Sequence, residues 1–208
     1  RPGHRVALML PNMPEYLVAL NGAWLAGATV VSASPLMVSD EVGRLLSAPR
    51  ARVLVTLDVL AGLEEVNADR LGCYGHSMGS THTWLVGPWE PRLKCLVGNC
   101  CLPTYQAIHE NHMLHCFPNF VPGIHAHGDT PDIAALIAPR ALHLNFGETD
   151  SGSPIDEVKR GVKVIAKAYE AIHAEKNFSH YIENGVGHVL SPEMWRRTKN
   201  VFARHLKA

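Results

Sequence analysis

The stretch DRLGCYGHSMGS, residues 69–80, joins a short apolar run to the pattern Gly-x-Ser-x-Gly. It predicts a strand over residues 70–74 and a helix directly after the pattern, with Ser77 at the sharp turn between them. A serine at such a turn is held in a strained backbone conformation, and side chains at the glycine positions would collide with the turn. The pattern therefore favours Ser77 as a nucleophile, with the backbone N–H of Met78 facing a developing oxyanion.

Two further polar side chains follow predicted strands downstream of this turn. Residues 141–146 are an apolar run followed by Gly-Glu-Thr-Asp150, and residues 178–183 precede a glycine-bounded loop that contains His188. Open parallel sheets carry their chemistry at the carboxyl ends of their strands. The order serine, acid, histidine then predicts a catalytic triad. Glu148 lies close enough to Asp150 to compete as the acid, and we expect it to be solvated or to support the site instead.

From residue 59 onward, the chain resembles the α/β-hydrolase superfamily, and within it the dienelactone-hydrolase and acetyl-xylan-esterase-like proteins. The resemblance rests on DRLGCYGHSMGS, WEPRLKCLVG, GDTPDIAALIAPRALHLNFGETD, GSPIDEV and GVGHVLSPEMWRRTKNVFARHL. It implies that Ser77 is the nucleophile, Asp150 the acid and His188 the base. The expected activity is hydrolysis of carboxylic esters with small acyl groups, and the resemblance implies no metal or organic cofactor.

Residues 1–58 carry a different signature. Apolar runs at residues 5–10, 29–32 and 51–56 predict buried strands joined by helices, which is typical of a parallel sheet. The segments RVALMLPNMPEYLVALNGAWLAGATVV and SDEVGRLLSAPRARVLVTLD resemble the N-terminal segment of AMP-binding acyl-CoA synthetases. That family's phosphate loop and later nucleotide-binding motifs are not in this sequence, so the resemblance carries no adenylation activity.

The two signatures together predict a fusion of two fragments near Asp58, natural or constructed. We expect an α/β fold with a mostly parallel sheet and helices on both faces, hydrolase-like over residues 59–208, to which residues 1–58 add their strands. The synthetase-like segment stands where a hydrolase has the strands that supply its second oxyanion donor. The loop Pro11-Asn12-Met13 is a candidate for that donor by its position alone. If the donor is lost, a catalytically silent binding or structural protein is the alternative.

An insertion over residues 101–128 has the length and the aromatic and histidine content of a substrate-covering cap. His112, His115 and Phe117 in this insertion, together with His76 beside the nucleophile, are the candidate substrate-binding residues. A surface excursion without a role in binding is the alternative.

The insertion also offers a metal hypothesis. His109, His112 and His115 are spaced by three, which places them on one flank of a helix. A metal-dependent hydrolase that uses this cluster is therefore a second alternative. No carboxylate or cysteine completes a known ligand pattern with them, and the spacing differs from that of a zincin helix. Pocket lining is the favoured interpretation.

The composition limits the function classes. Hydrophobic residues make up 47% of the 208 residues, charged residues 18%, and the formal net charge is zero. These values fit a globular protein and give no electrostatic reason to bind nucleic acid or an anionic membrane. Five cysteines without a Cys-x-x-Cys motif predict reduced, buried thiols and a cytoplasmic protein. We expect no catalytic role for Cys100 or Cys101, and exposed strand edges would favour a homodimer.

Overall fold

The computed structural model describes the backbone of Arg5–Leu8, Thr29–Ser32 and Val53–Val55, and backbone and side chains over residues 66–110 and 126–207. The chain divides into two compact units, Arg1–Asp69 and Arg70–Ala208. This division lies later in the chain than the junction expected near Asp58.

The first unit contains a small parallel sheet. Its strands are β1 (Arg5–Leu8), β2 (Thr29–Ser32) and β3 (Val53–Val55), and β1 lies in the centre between β2 and β3. Each matches a strand predicted from an apolar run, although β1 and β3 are shorter than predicted. We expected these strands to extend a single sheet with the rest of the chain. Among the described strands, these three pair only with one another, and their place in a larger sheet stays a prediction.

The second unit alternates strands and helices along the chain. Its strands are β4 (Leu71–His76), β5 (Leu93–Asn99), β6 (Ala141–Gly147) and β7 (Phe178–Glu183). The described α-helices are α1 (Met78–Val86), α2 (Tyr105–Glu110), α3 (Thr130–Ala135), α4 (Ile155–Ala171) and α5 (Pro192–Leu206). All neighbouring strands are parallel, in the order β4-β5-β6-β7. Their carboxyl ends therefore lie along one edge.

Helices pack on both faces of this sheet, as strand β4 shows. Gly72 and Gly75 are three residues apart, so their Cα–H bonds point to opposite faces. A methyl group at Gly72 would meet Leu206 and Phe202 of α5, whereas one at Gly75 would overlap the backbone of Gly79 in α1. Helix α1 packs on α3 and α3 on α4, while α5 packs against β4, β5 and β6. The expected α/β class with a doubly covered parallel sheet is confirmed.

The core of the second unit lies in its central strands. Every residue of β6 is buried, and in β5 only Lys94 is exposed, which explains why both strands are nearly continuous apolar runs. The cysteines of the described residues, Cys73, Cys95, Cys100 and Cys101, are buried and are not in disulfides, as expected for them. Over residues 66–110 and 126–207, no helix is long and apolar enough to cross a membrane.

Candidate active site

Ser77 occupies a strained turn between β4 and α1. Its backbone has φ 58° and ψ −120°, in the left-handed region that residues with side chains rarely adopt. Its N–H donates to the carbonyl of Asn99 at the end of β5, at 2.8 Å. A Cβ atom at Gly75 would lie 1.9 Å from the carbonyl oxygen of Gly79, so the chain can make this turn only with glycine at position 75. The sharp strand-to-helix turn that the pattern predicts is therefore present at Ser77.

The structure brings Ser77, His188 and Asp150 together in a line of hydrogen bonds. The Ser77 Oγ lies 2.7 Å from Nε2 of His188, and Nδ1 of His188 lies 2.8 Å from Oδ2 of Asp150. Because an ionised carboxylate only accepts, Nδ1 carries the proton and Nε2 is left to accept from the serine hydroxyl. The other carboxylate oxygen, Oδ1, accepts from the Gly152 N–H at 2.8 Å.

The loops that carry the acid and the base are joined to each other. The Glu148 N–H donates to the carbonyl of Glu183 at 3.0 Å, and the Thr149 N–H donates to the carbonyl of Val186 at 2.9 Å. These bonds continue the β6–β7 pairing past the ends of both strands. A Cβ atom at Gly147 would lie 2.2 Å from the carbonyl oxygen of Gly187. Glycine at position 147 thus permits the close approach that sets the distance between acid and base.

Glu148, the other candidate acid, has a different partner. One of its carboxylate oxygens accepts from the N–H of Gly185 at 2.8 Å. Gly185 has φ +68°, so this contact holds a left-handed turn in the loop before His188. Asp150 is the carboxylate that contacts the imidazole, and Glu148 supports the loop.

His76 lies beside the triad with its ring held by Asn99. The Asn99 amide donates to Nδ1 of His76 at 2.8 Å, and the His76 and His188 ring centroids are 5.3 Å apart. Burial, and then the neighbouring His188, lower the pKa of His76, while Asp150 acts in the opposite direction. A neutral His76 therefore places no second positive charge beside the base.

Two further residues lie in this neighbourhood: Asn99, which was not singled out from the sequence, and Cys100, for which the sequence predicted only burial. Both are fully buried at the carboxyl end of β5. Cys100 has φ 56°, and its Sγ donates to the carbonyl of Val189, directly after the base, at 3.2 Å. The only available signal was that a predicted buried strand ends here, at the same edge as the strands that precede Ser77 and Asp150.

Met78 begins α1, so its N–H belongs to the first-turn groups that have no acceptor within the helix. This placement suits the predicted oxyanion donor. The Met78 residue is 45% exposed and the His188 side chain 42% exposed, whereas the Asp150 side chain is only 1% exposed. The Ser77–His188 end of the hydrogen-bond line is thus accessible to solvent, whereas the Asp150 end is buried. The candidate second donor, in the loop Pro11-Asn12-Met13, lies outside the described residues.

The insertion over residues 101–128 is described only at its two ends. The Tyr105 N–H donates to Oδ1 of Asp129 at 2.7 Å, and the Thr130 hydroxyl donates to the carbonyl of Pro103 at 2.7 Å. These bonds hold the two ends of the insertion side by side. His109 lies in α2. His112, His115 and Phe117 lie outside the described residues, so the substrate-binding and metal hypotheses for them stay predictions.

Comparison with known sequences finds relatives of two kinds, and the first kind extends beyond the first unit, through the turn at Ser77. Residues 1–85 match the family model described as AMP-binding enzyme. The long-chain-fatty-acid–CoA ligase of Bacillus subtilis (strain 168) is 40% identical over 58 residues, which is 28% of this chain and 10% of the ligase. YtaP, a protein of the same strain named as a hydrolase, is 32% identical over 124 residues, 58% of this chain and 40% of YtaP. The chain thus spans less than half the length of either relative.

Comparison with solved structures concerns the fold. A glucuronoyl esterase from Solibacter usitatus matches with a TM-score of 0.57 at 17% identity, over 70% of this chain and 45% of its own. The protein TT1662 from Thermus thermophilus matches with a TM-score of 0.56 at 18% identity, over 100% of this chain and 91% of its own. The methylesterase BT1017 matches with a TM-score of 0.57 at 19% identity, over 98% of this chain and 49% of its own. The chain therefore has an α/β fold of the kind found in α/β-hydrolase esterases, and its opening segment is similar to AMP-binding enzymes.

Proposed function

We propose that this chain is a serine hydrolase that cleaves carboxylic esters with small acyl groups. The observation that carries the proposal is the continuous hydrogen-bond line Ser77–His188–Asp150, with distances of 2.7 and 2.8 Å. The named esterases among the structural neighbours, and the relative named as a hydrolase, support ester hydrolysis as the reaction class.

The mechanism follows from the positions of the protons. His188 Nε2 takes the hydroxyl proton of Ser77 as Oγ attacks the ester carbonyl. The Met78 N–H donates to the oxygen that becomes negative, which stabilises the tetrahedral intermediate. His188 then gives its proton to the leaving alcohol, and an acyl group remains on Ser77. A water molecule activated by His188 releases the acid. Asp150 holds the imidazole in the required tautomer and stabilises its protonated form.

The test is hydrolysis of short-chain nitrophenyl esters, such as the acetate and the butyrate, by the full chain and its Ser77→Ala variant. We expect the substitution to lower kcat by about 10³-fold or more, because the attacking oxygen is removed. The matched control is Ser80→Ala. Ser80 is buried in the same helix, and its hydroxyl donates to the carbonyl of Cys101 instead of contacting the triad.

The two variants separate chemistry from folding. Activity retained by Ser80→Ala and lost by Ser77→Ala would support the proposal. Hydrolysis that persists in Ser77→Ala would overturn it. A folded wild-type chain without any turnover would favour the binding or structural alternative.

A further inference from the structure

A buried thiol that the proposed mechanism does not use, Cys100, packs against His188 and Asp150. Cys100 Sγ, a carboxylate oxygen of Asp150 and an imidazole nitrogen of His188 all lie within 4.8 Å of one another. Cys100 and Asp150 are buried, whereas His188 is open to solvent. A thiol, an imidazole and a carboxylate are three of the ligand types that hold zinc in proteins. We propose that these three side chains bind a thiophilic divalent cation, zinc, and that the bound cation blocks the hydrolase.

The spacing suits a tetrahedral ion after a small rearrangement, in which Nδ1 of His188 and Oδ2 of Asp150, now 2.8 Å apart, move away from each other. Bond lengths of about 2.3 Å to sulfur and about 2.0–2.2 Å to nitrogen and oxygen place the ligand atoms of such an ion roughly 3.5 Å apart. The three atoms here start within 4.8 Å of one another. Harder ions such as magnesium prefer oxygen ligands, so a set with sulfur and nitrogen selects zinc over them.

The Cys100 thiol differs in its protonation from the thiol of a nucleophilic cysteine. Burial, and then the charge of Asp150, raise the pKa of Cys100 to about 11, so without a metal the side chain stays protonated. A cation placed against the sulfur compensates for the charge of the thiolate. Binding then releases the thiol proton to solvent and forms a metal–sulfur bond.

Zinc would block catalysis through the tautomer of His188. Nδ1 is the nitrogen that lies against Asp150, and it carries the ring proton when no metal is present. A metal on Nδ1 takes that lone pair, so the proton of the neutral ring moves to Nε2. Nε2 then faces Ser77 as a donor and cannot accept the hydroxyl proton. This inhibitory consequence rests on the proposed function, whereas the binding of the metal does not.

The first experiment measures binding without reference to activity. Co²⁺ is titrated into the reduced chain, and thiolate-to-cobalt charge-transfer absorption is recorded in the near ultraviolet. We expect a saturable band with a single equivalent of Co²⁺, displaced by Zn²⁺ and unaffected by Mg²⁺. The band should be absent in Cys100→Ser and present in Cys101→Ser, the matched control, because the Cys101 sulfur contacts Thr81.

This titration tests whether Cys100 and its neighbours bind a metal ion. Absence of the band in the wild type, or a band of equal strength in Cys100→Ser, would overturn the proposal. Circular dichroism checks that each variant is folded. If Cys100→Ser does not fold, His188→Asn serves in its place. It keeps the thiol and should weaken the apparent affinity for Co²⁺ by about 10–100-fold. An unchanged affinity in that variant would equally overturn the site.

The second experiment tests inhibition. The rate of ester hydrolysis with Zn²⁺ is divided by the metal-free rate of the same variant. We expect a fall of about tenfold or more in wild type and in Cys101→Ser at saturating zinc, and a clearly smaller fall in Cys100→Ser. Equal inhibition of all three proteins would place the effect at another site and overturn the inhibitory role. If no protein hydrolyses esters without metal, the proposed function fails while the cobalt titration still decides the metal site.

Discussion

At the scale of single residues, the buried side chain of Asp150 contacts the partly exposed side chain of His188. Asp150 is buried and has a hydrogen-bond donor for each carboxylate oxygen, Gly152 N–H on one and His188 on the other. A buried carboxylate without such partners would be costly, and removal of either donor would leave it uncompensated. This double anchoring fixes the orientation of the imidazole that has to reach Ser77.

The residue-scale prediction separates the two acidic candidates. The variant Asp150→Asn keeps the shape of the side chain, but its amide can donate to Nδ1 of His188 as well as accept from it. When Nδ1 accepts, the ring proton lies on Nε2, which is the wrong tautomer for taking the Ser77 proton. We expect kcat to fall by about 10⁴-fold in this variant. Glu148→Gln, the matched control, removes only the charge that accepts from Gly185. It should change kcat by less than about tenfold. Ester kinetics at neutral pH measure both, and the reverse order of the two effects would show that the acid was misassigned.

At the scale of elements, the site depends on loops that extend the sheet. The segments after β6 and β7 stay paired through backbone hydrogen bonds, at 3.0 Å between Glu148 and Glu183 and 2.9 Å between Thr149 and Val186. Beside them, Ser77 is bonded to Asn99, and the Cys100 N–H to the carbonyl of Asn145, both at 2.8 Å. The ends of all four strands, β4 to β7, are thus joined by backbone hydrogen bonds, and these bonds fix the segments that carry Ser77, Asp150 and His188.

The element-scale prediction concerns two glycines of these loops. Gly147→Ala would place a methyl group 2.2 Å from the carbonyl oxygen of Gly187 and 2.4 Å from that of Val186. The base loop has to move away, so we expect kcat to fall by about 10²-fold or more. Gly185→Ala is the control, because a Cβ atom there meets nothing within 4 Å.

The control isolates backbone strain from steric overlap. Gly185 has φ +68°. Alanine there should therefore lower the free energy of unfolding by about 1–2 kcal/mol and leave kcat nearly unchanged. Denaturant unfolding and ester kinetics on both variants make the comparison. A normal kcat in Gly147→Ala would mean that the close approach of the loops is not required.

The sequence was sufficient to place β4, β6, β7 and the helix after Ser77, and to locate Ser77, Asp150 and His188 just beyond strand ends. Apolar runs and glycines mark where β4, β6 and β7 end, and polar residues just beyond such ends stand out. Cys100 and Asn99 could not be found this way. Their place against the triad depends on the register of β5 between its neighbours and on the left-handed backbone at Cys100, neither of which the local sequence specifies.

At the scale of the whole molecule, the second unit buries histidines that must stay neutral. His143 lies inside β6, where Nε2 donates to Oδ1 of Asn145 at 3.0 Å and Nδ1 accepts from the Ser179 hydroxyl at 2.8 Å. Burial lowers the pKa of His143, and it acts in the same direction on His76 and His82. Folding therefore opposes protonation of these rings.

The whole-molecule prediction is a loss of stability in mild acid. An unfolded histidine takes up a proton near its usual pKa of about 6.5, while the folded His143 does so only at lower pH. The contribution of the neutral His143 ring to the free energy of unfolding is thus fully present above about pH 6.5. It is lost as the pH falls toward the pKa of His143 in the folded protein. The free energy of unfolding, measured with urea, should fall less between about pH 7.5 and about pH 5.5 in His143→Gln than in wild type. His127→Gln, at an exposed position, should behave as wild type, and an equal loss in all three proteins would contradict this source of the effect.

The central claim is that Ser77 is an activated nucleophile. The most direct measurement is labelling of the full chain with a fluorophosphonate probe, followed by mass spectrometry of the labelled peptide. We predict a single modified residue, Ser77, and slower labelling in Asp150→Asn, because His188 there no longer accepts the hydroxyl proton efficiently. A folded wild-type chain that is not labelled, or that carries the label at another residue, would contradict the account.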